Sequence, residues 1–133
     1  MRKTLGFSIL ELMVTMAIVS ILAATGFSQY QTYIIRSQAT RVYTELNAYR
    51  TAAENCILEN RLLNTDCGIE FVASNLTSSV TADLSSTSDT LKATFGGNAA
   101  SALNGLSLSL HRTTSGEWTC TTTMEEKYRP KSC

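Results

Sequence analysis

Residues Phe7 to Phe27 form a 21-residue apolar stretch in which Glu11 is the only ionisable side chain. A helix of about 20 such residues crosses the hydrocarbon core of a bilayer. Arg2 and Lys3 precede the stretch, and basic residues beside a span stay on the cytoplasmic side, so everything after Phe27 is expected on the far side of the membrane. A cleaved signal peptide is the rival reading, with Ala23-Ala24-Thr25-Gly26 as its small-residue site. The apolar region of a signal peptide runs to roughly 7–15 residues, however, and cleavage after residue 26 would discard a carboxylate that the span tolerates only at a cost. The segment reads as a retained anchor.

That placement governs the cysteines. The chain has 133 residues, room for one domain besides the anchor. Cys56, Cys67, Cys120 and Cys133 are an even number in a short exported chain, which points to two disulfides with three pairings open. A metal site is disfavoured, since no C-x-x-C pair occurs and His111 is the sole histidine. No metal and no cofactor are therefore expected. Catalysis is not expected either, because one histidine and scattered carboxylates offer neither a nucleophile with its base nor a paired acid and base. Lys and Arg number 11 against 11 Asp and Glu, with no long run of one sign, so nothing marks a nucleic-acid partner. Asn75-Leu76-Thr77 matches a glycosylation sequon, a three-residue pattern that is weak evidence by itself.

Helical periodicity continues beyond the span. Val42, Leu46, Tyr49, Ala53, Cys56 and Ile57 recur at steps of three and four, while Arg41 with Glu45 and Arg50 with Glu54 form i,i+4 pairs expected on solvated faces. No proline interrupts residues 7–61, which predicts a helix of about 80 Å, apolar all round in its first half and amphipathic in its second. After the turn formers Asn64 to Gly68 the period disappears. Leu91, Ala93 and Phe95 then alternate with polar residues, as do Leu106, Leu108 and Leu110, and Trp118 with Cys120, so three half-buried strands are predicted. Thr113 to Gly116 reads as the turn of a hairpin between the last two. The Ser/Thr-rich stretch from Ala73 to Thr90 reads as loop plus one weak strand. The fold class is α+β.

Gly6-Phe7-Ser8-Ile9-Leu10-Glu11-Leu12-Met13 resembles the type IV prepilin signature: a basic leader, glycine, an aromatic first mature residue, and glutamate four places on. Gln29 to Tyr33, Arg36-Ser37, Trp118-Thr119-Cys120 and Tyr128 to Cys133 extend the likeness to pilins of the Pseudomonas type, class IVa. Residues 58–112 carry no motif of that family. The resemblance implies the pilin fold, a long N-terminal helix packed by its second half on a C-terminal antiparallel sheet. It further implies a leader over 1–6, a transmembrane and polymerisation helix over 7–28, and a periplasmic then extracellular head over 29–133 that ends in a disulfide loop, 120–133. A prepilin peptidase and methyltransferase would cut between Gly6 and Phe7 and methylate Phe7. Loss of Arg2 and Lys3 leaves 9 basic against 11 acidic residues, a net charge of −2.

Within the resemblance Glu11 is the assembly residue. A carboxylate in a span costs about 2.5–3.5 kcal/mol on insertion scales. Pairing it with the N-terminal ammonium of a neighbouring copy removes two isolated charges at once and penalises every other register. The closing loop implies Cys120–Cys133, with Glu125, Lys127, Tyr128, Arg129 and Lys131 as a candidate receptor-binding surface in which Tyr128 is exposed among charges. Cys56–Cys67 is read from nearness in sequence, and most relatives lack it. Implied partners are further copies in a helical homopolymer, the peptidase, the inner membrane before assembly, the pilus assembly platform and a host-surface receptor. The expected role is the major subunit of a filament for adhesion and twitching motility; a minor pilin, a competence pilin for DNA uptake and a type II secretion pseudopilin are the alternatives. Ser28 stands where many members have proline and Ser20 where they have glycine, which leaves a bend near Gly26 open.

Overall fold

The computed structural model of the chain describes residues 6–59, 67–85 and 88–133. Its elements are helix α1 (Ile9–Leu58), strands β1 (Thr77–Ser85), β2 (Ser88–Phe95), β3 (Ser107–Arg112) and β4 (Trp118–Thr122), and a short 3-10 turn, η1 (Glu126–Tyr128). The chain divides into two compact units at Tyr33/Ile34, five residues beyond the expected change from span to head. Helix α1 continues without a break through Gly26 and Ser28. Its expected end near Arg61, the turn formers Asn64 to Asp66 and most of the leader lie outside the described residues.

In the second unit, helix and sheet meet through the predicted stripe. Val42, Leu46, Ala53 and Cys56 are buried, and Ala39 extends the line by one more step. These side chains pack with Leu91, Ala93, Phe95, Leu108 and Leu110, the inward residues of β2 and β3. Alternation along the strands produces this division, since successive side chains leave opposite faces of a sheet. Lys92, Thr119 and Thr121 accordingly lie on the exposed face.

The sheet is an antiparallel meander, β1-β2-β3-β4. Leu91 pairs with Leu110 and Ala93 with Leu108, and Leu110 pairs in turn with Cys120. Strand β1 is longer than the sequence pattern announces: nine residues, paired with β2 from Thr77 to Ser85, with a register irregularity between Thr77 and Ser79. The reason is its place at the edge, where Val80 and Ala82 are only half covered; small inward side chains suffice there and leave a faint alternation. Strands β3 and β4 each lie within a residue or two of the predicted runs.

Two glycines are fixed by geometry. Gly97 has φ +59°, and a Cβ there would approach the Asn75 carbonyl oxygen to 2.7 Å. Gly116 has φ +88° in the β3–β4 turn, where Thr113 N–H donates to Glu117 O at 2.7 Å and Gly116 N–H to Thr113 O at 2.9 Å.

Candidate functional site

In the first unit the large apolar side chains from Phe7 to Phe27 are all at least half exposed, from 52% at Leu12 and Val14 to 79% at Ile9. The helix is long and apolar enough to cross a membrane. From Leu12 onward its backbone N–H groups are satisfied within the helix, as lipid requires. Three hydroxyls within the helical part of the stretch bond back to carbonyls of the preceding turn: Thr15 to Leu12 O at 2.9 Å, Ser20 to Met16 O at 2.7 Å and Thr25 to Leu22 O at 3.1 Å. Each hydroxyl is thereby neutralised without a neighbour.

Glu11 sits in the first turn, where it receives the backbone N–H of Ser8 on Oε2 at 3.0 Å. Ser8 is the residue before the helix, so this is the returning half of a capping box, S-x-x-E. Motif reading of Glu11 as a charge in lipid passed over this local signal. The carboxylate therefore does two separable things: it closes its own helix terminus, and it carries a negative charge at the positive end of the helix dipole. Gly6 is exposed, and a Cβ on it would meet nothing within 4 Å. The packing of the chain itself does not demand glycine there.

The structure joins Cys120 to Cys133 across 13 positions, with Cα atoms 5.0 Å apart, and Cys56 to Cys67 across 11, with Cα atoms 5.8 Å apart. The first bond closes the C-terminal loop. Within it Met124 and Pro130 are buried, while Glu125, Glu126, Lys127, Arg129 and Lys131 are exposed. Lys127 Nζ lies 2.8 Å from Glu125 and 4.7 Å above the Tyr128 ring. The Glu125 carboxylate, then Tyr128, raises the affinity of the Lys127 amine for its proton. Arg129 Nε donates to Met124 O at 2.9 Å. Tyr128 differs from expectation: it is half-buried and packs against the core. Charged groups make up most of the outer surface of the loop.

Glu54 also departs from the reading of the sequence. Instead of a solvated pair with Arg50, it accepts two parallel bonds from Arg112 of β3, Nε to Oε2 and Nη2 to Oε1, both at 2.8 Å, and a third from the Trp118 indole at 3.0 Å. Asp89 of β2 stands 3.8 Å from the same guanidinium. The Arg112 bonds hold the Glu54 carboxyl below the usual range against the opposing effect of burial. Burial pushes Asp89 up, against the pull of Arg112. Four elements meet in this clasp, and helical spacing alone carried no sign of it. The alternative partner, Arg112, lies 58 residues away.

His111 is held between hydroxyls, with Nδ1 at 3.0 Å from Thr90 Oγ1 and Nε2 at 2.9 Å from Thr121 Oγ1. Among the described residues no three metal-ligating side chains converge. The second unit thus offers a folded head, a stapled loop and a clasp, and the first offers an uncovered apolar helix with one carboxylate.

Comparison with known proteins bears on both units. Residues 35–133 match the model of the pilin family, described as a bacterial filament protein, and residues 1–27 match the prokaryotic N-terminal methylation motif. The chain belongs to the type IV pilin family. This pilin is 38% identical over 149 aligned positions to a type IV major fimbrial protein of Dichelobacter nodosus, an alignment covering 96% of the chain and 95% of the relative. It is 34% identical to a fimbrial protein of Pseudomonas aeruginosa, covering 100% and 98%, and 33% identical to a probable minor fimbrial protein of Dichelobacter nodosus, covering 100% and 96%. As a pilin it is a subunit of a type IV pilus, an extracellular filament built by polymerisation. Its methylation motif marks it for processing by prepilin peptidase. The long helix and four-stranded antiparallel sheet are the α+β pilin fold that the resemblance implied.

Proposed function

We propose that this pilin is the major subunit of its pilus and polymerises through residues 7–28. Peptidase cleavage between Gly6 and Phe7 removes the leader, and methylation of the Phe7 amine completes the mature chain, which waits in the inner membrane for the assembly platform. Open space around Gly6 supports this role for it, since a side chain there would obstruct only an external enzyme. In the filament, Glu11 meets the Phe7 ammonium of a neighbouring copy, and the apolar side chains around it exchange lipid for one another. The single observation that carries the reading is an N-terminal helix of uncovered large apolar residues interrupted by one carboxylate. Covering such side chains stabilises by about 1.5–3 kcal/mol each relative to water, so the helix is stable only in a membrane or among its own kind.

The head faces outward and its C-terminal loop contacts surfaces, which suits adhesion and twitching motility. Lys127 and Lys131, more than the half-buried Tyr128, are the contacting groups on this reading. Shearing of producing cells tests the main claim: the chain should be the dominant band, and its first residue should be N-methylated Phe7. A trace band among a different dominant pilin would instead make it a minor subunit. The likeness to probable minor fimbrial proteins, at 33% and 32% identity, keeps that second reading specific.

A further inference from the structure

Arg36 lies 91 residues before Lys127, and no periodicity connects them, yet Arg36 Nη2 donates to the Lys127 carbonyl at 2.8 Å. The loop that contains Lys127 is anchored at both ends. Met124 is 1% exposed, Pro130 is buried, and Cys133 is bonded to Cys120. Between those anchors lies η1 (Glu126–Tyr128), flanked by Glu125 and Arg129, and its backbone bonds are Tyr128 N–H to Glu125 O at 2.9 Å and Arg129 N–H to Glu126 O at 3.2 Å. One 3-10 turn with such bonds holds its shape poorly by itself. Among the described residues, the Arg36 bond is the hydrogen bond that ties η1 to helix α1. A guanidinium is well fitted to such a tie, because it is permanently charged and its stem is long enough to bring a planar donor to a carbonyl on another element. The residue whose carbonyl is gripped is also the one whose ammonium lies between Glu125 and the Tyr128 ring.

We propose that Arg36 is a positioning residue for the C-terminal loop, holding η1 from the helix so that Lys127, with Glu125 beside it, faces outward in one arrangement. This rests on the reading of the loop as the contact surface.

Hydrogen exchange on the full-length chain in detergent micelles tests it. In Arg36→Gln, whose side chain is shorter and uncharged, amides 125–129 should exchange roughly three- to tenfold faster, as loss of one solvent-exposed hydrogen bond implies, while the amides of Leu91 and Leu108 keep their rates. Arg36→Met, which retains the stem without the donor, should do the same and serves where the glutamine variant folds badly. Arg36→Lys, which keeps a donor, should bring loop exchange back toward the wild-type rate. Unchanged loop exchange in both Arg36→Gln and Arg36→Met, or equal acceleration in loop and sheet, overturns the proposal. Filament adsorption to dextran-sulfate beads should fall in Arg36→Gln and recover in Arg36→Lys. If Lys127→Ala filaments adsorb as wild type does, the contact reading of the loop fails, and the exchange rates still decide the role of Arg36.

Discussion

Glu11 combines a helix cap and a charge, and substitution can separate them. Glutamine retains the acceptor of a capping box, so Glu11→Gln should keep the helix content of the wild type by circular dichroism in micelles while fibres disappear from electron micrographs. Glu11→Ala should lose both, the cap being worth about 0.5–2 kcal/mol. Fibres of normal number from the glutamine variant would refute the charge pairing. Glu54 offers a second test at this scale. Its native carboxyl titrates below its ordinary value of 4.5 because Arg112 holds the charged form. The stability it contributes is therefore complete above about pH 4.5 and lost as pH falls through the lower native value. Asp89 runs the other way, since burial raises it from 3.8; its contribution is present below that value and fades as pH rises through the raised one. Acid sensitivity thus belongs to Glu54. Melting temperatures between pH 7 and pH 3 should fall for the wild type below pH 4.5 and stay flatter in Glu54→Gln, which at neutral pH should be less stable by about 1–2 kcal/mol, allowing for partial exposure.

Among the elements, helix α1 and the β3–β4 hairpin are each held by a different kind of bond. Leu46 is 1% exposed at the centre of the helix–sheet contact, so Leu46→Ala should cost about 2–5 kcal/mol in urea denaturation of the head. The Cys120–Cys133 bond closes a loop with 12 intervening residues, and the chain-entropy account assigns roughly 3 kcal/mol to loops near that length. A Cys120→Ser, Cys133→Ser variant should show that loss, with protease cleavage appearing first in residues 124–131. Strand β1 is expected to exchange its amides before the central strands β2 and β3, because it is an edge strand with half-covered side chains. Slower exchange in β1 than in β2 would contradict the account of why its pattern is faint.

For the whole molecule, the division at Tyr33/Ile34 predicts that the two units part company in solution. A chain starting at Ile34 retains the entire described core, so it should melt in one cooperative transition without detergent, whereas the full chain should stay dispersed only with detergent. Loss of cooperativity on removing residues 1–33 would show that the head depends on the span. Much of this organisation was legible in the sequence. The span with its single carboxylate, the apolar stripe from Val42 to Cys56 and the alternation in β2, β3 and β4 are local patterns, repeated every three to four residues or every two, and each is imposed by the geometry of one element. What stayed hidden joins residues far apart in the chain. Glu54 chose Arg112 over Arg50 because a bidentate, half-buried guanidinium competes better for a carboxylate than an exposed one on the same helix. Tyr128 turned inward onto the core, and Arg36 reached Lys127 across 91 residues; neither contact leaves a mark on local spacing. Periodicity records which face of an element is covered, while packing alone decides what covers it.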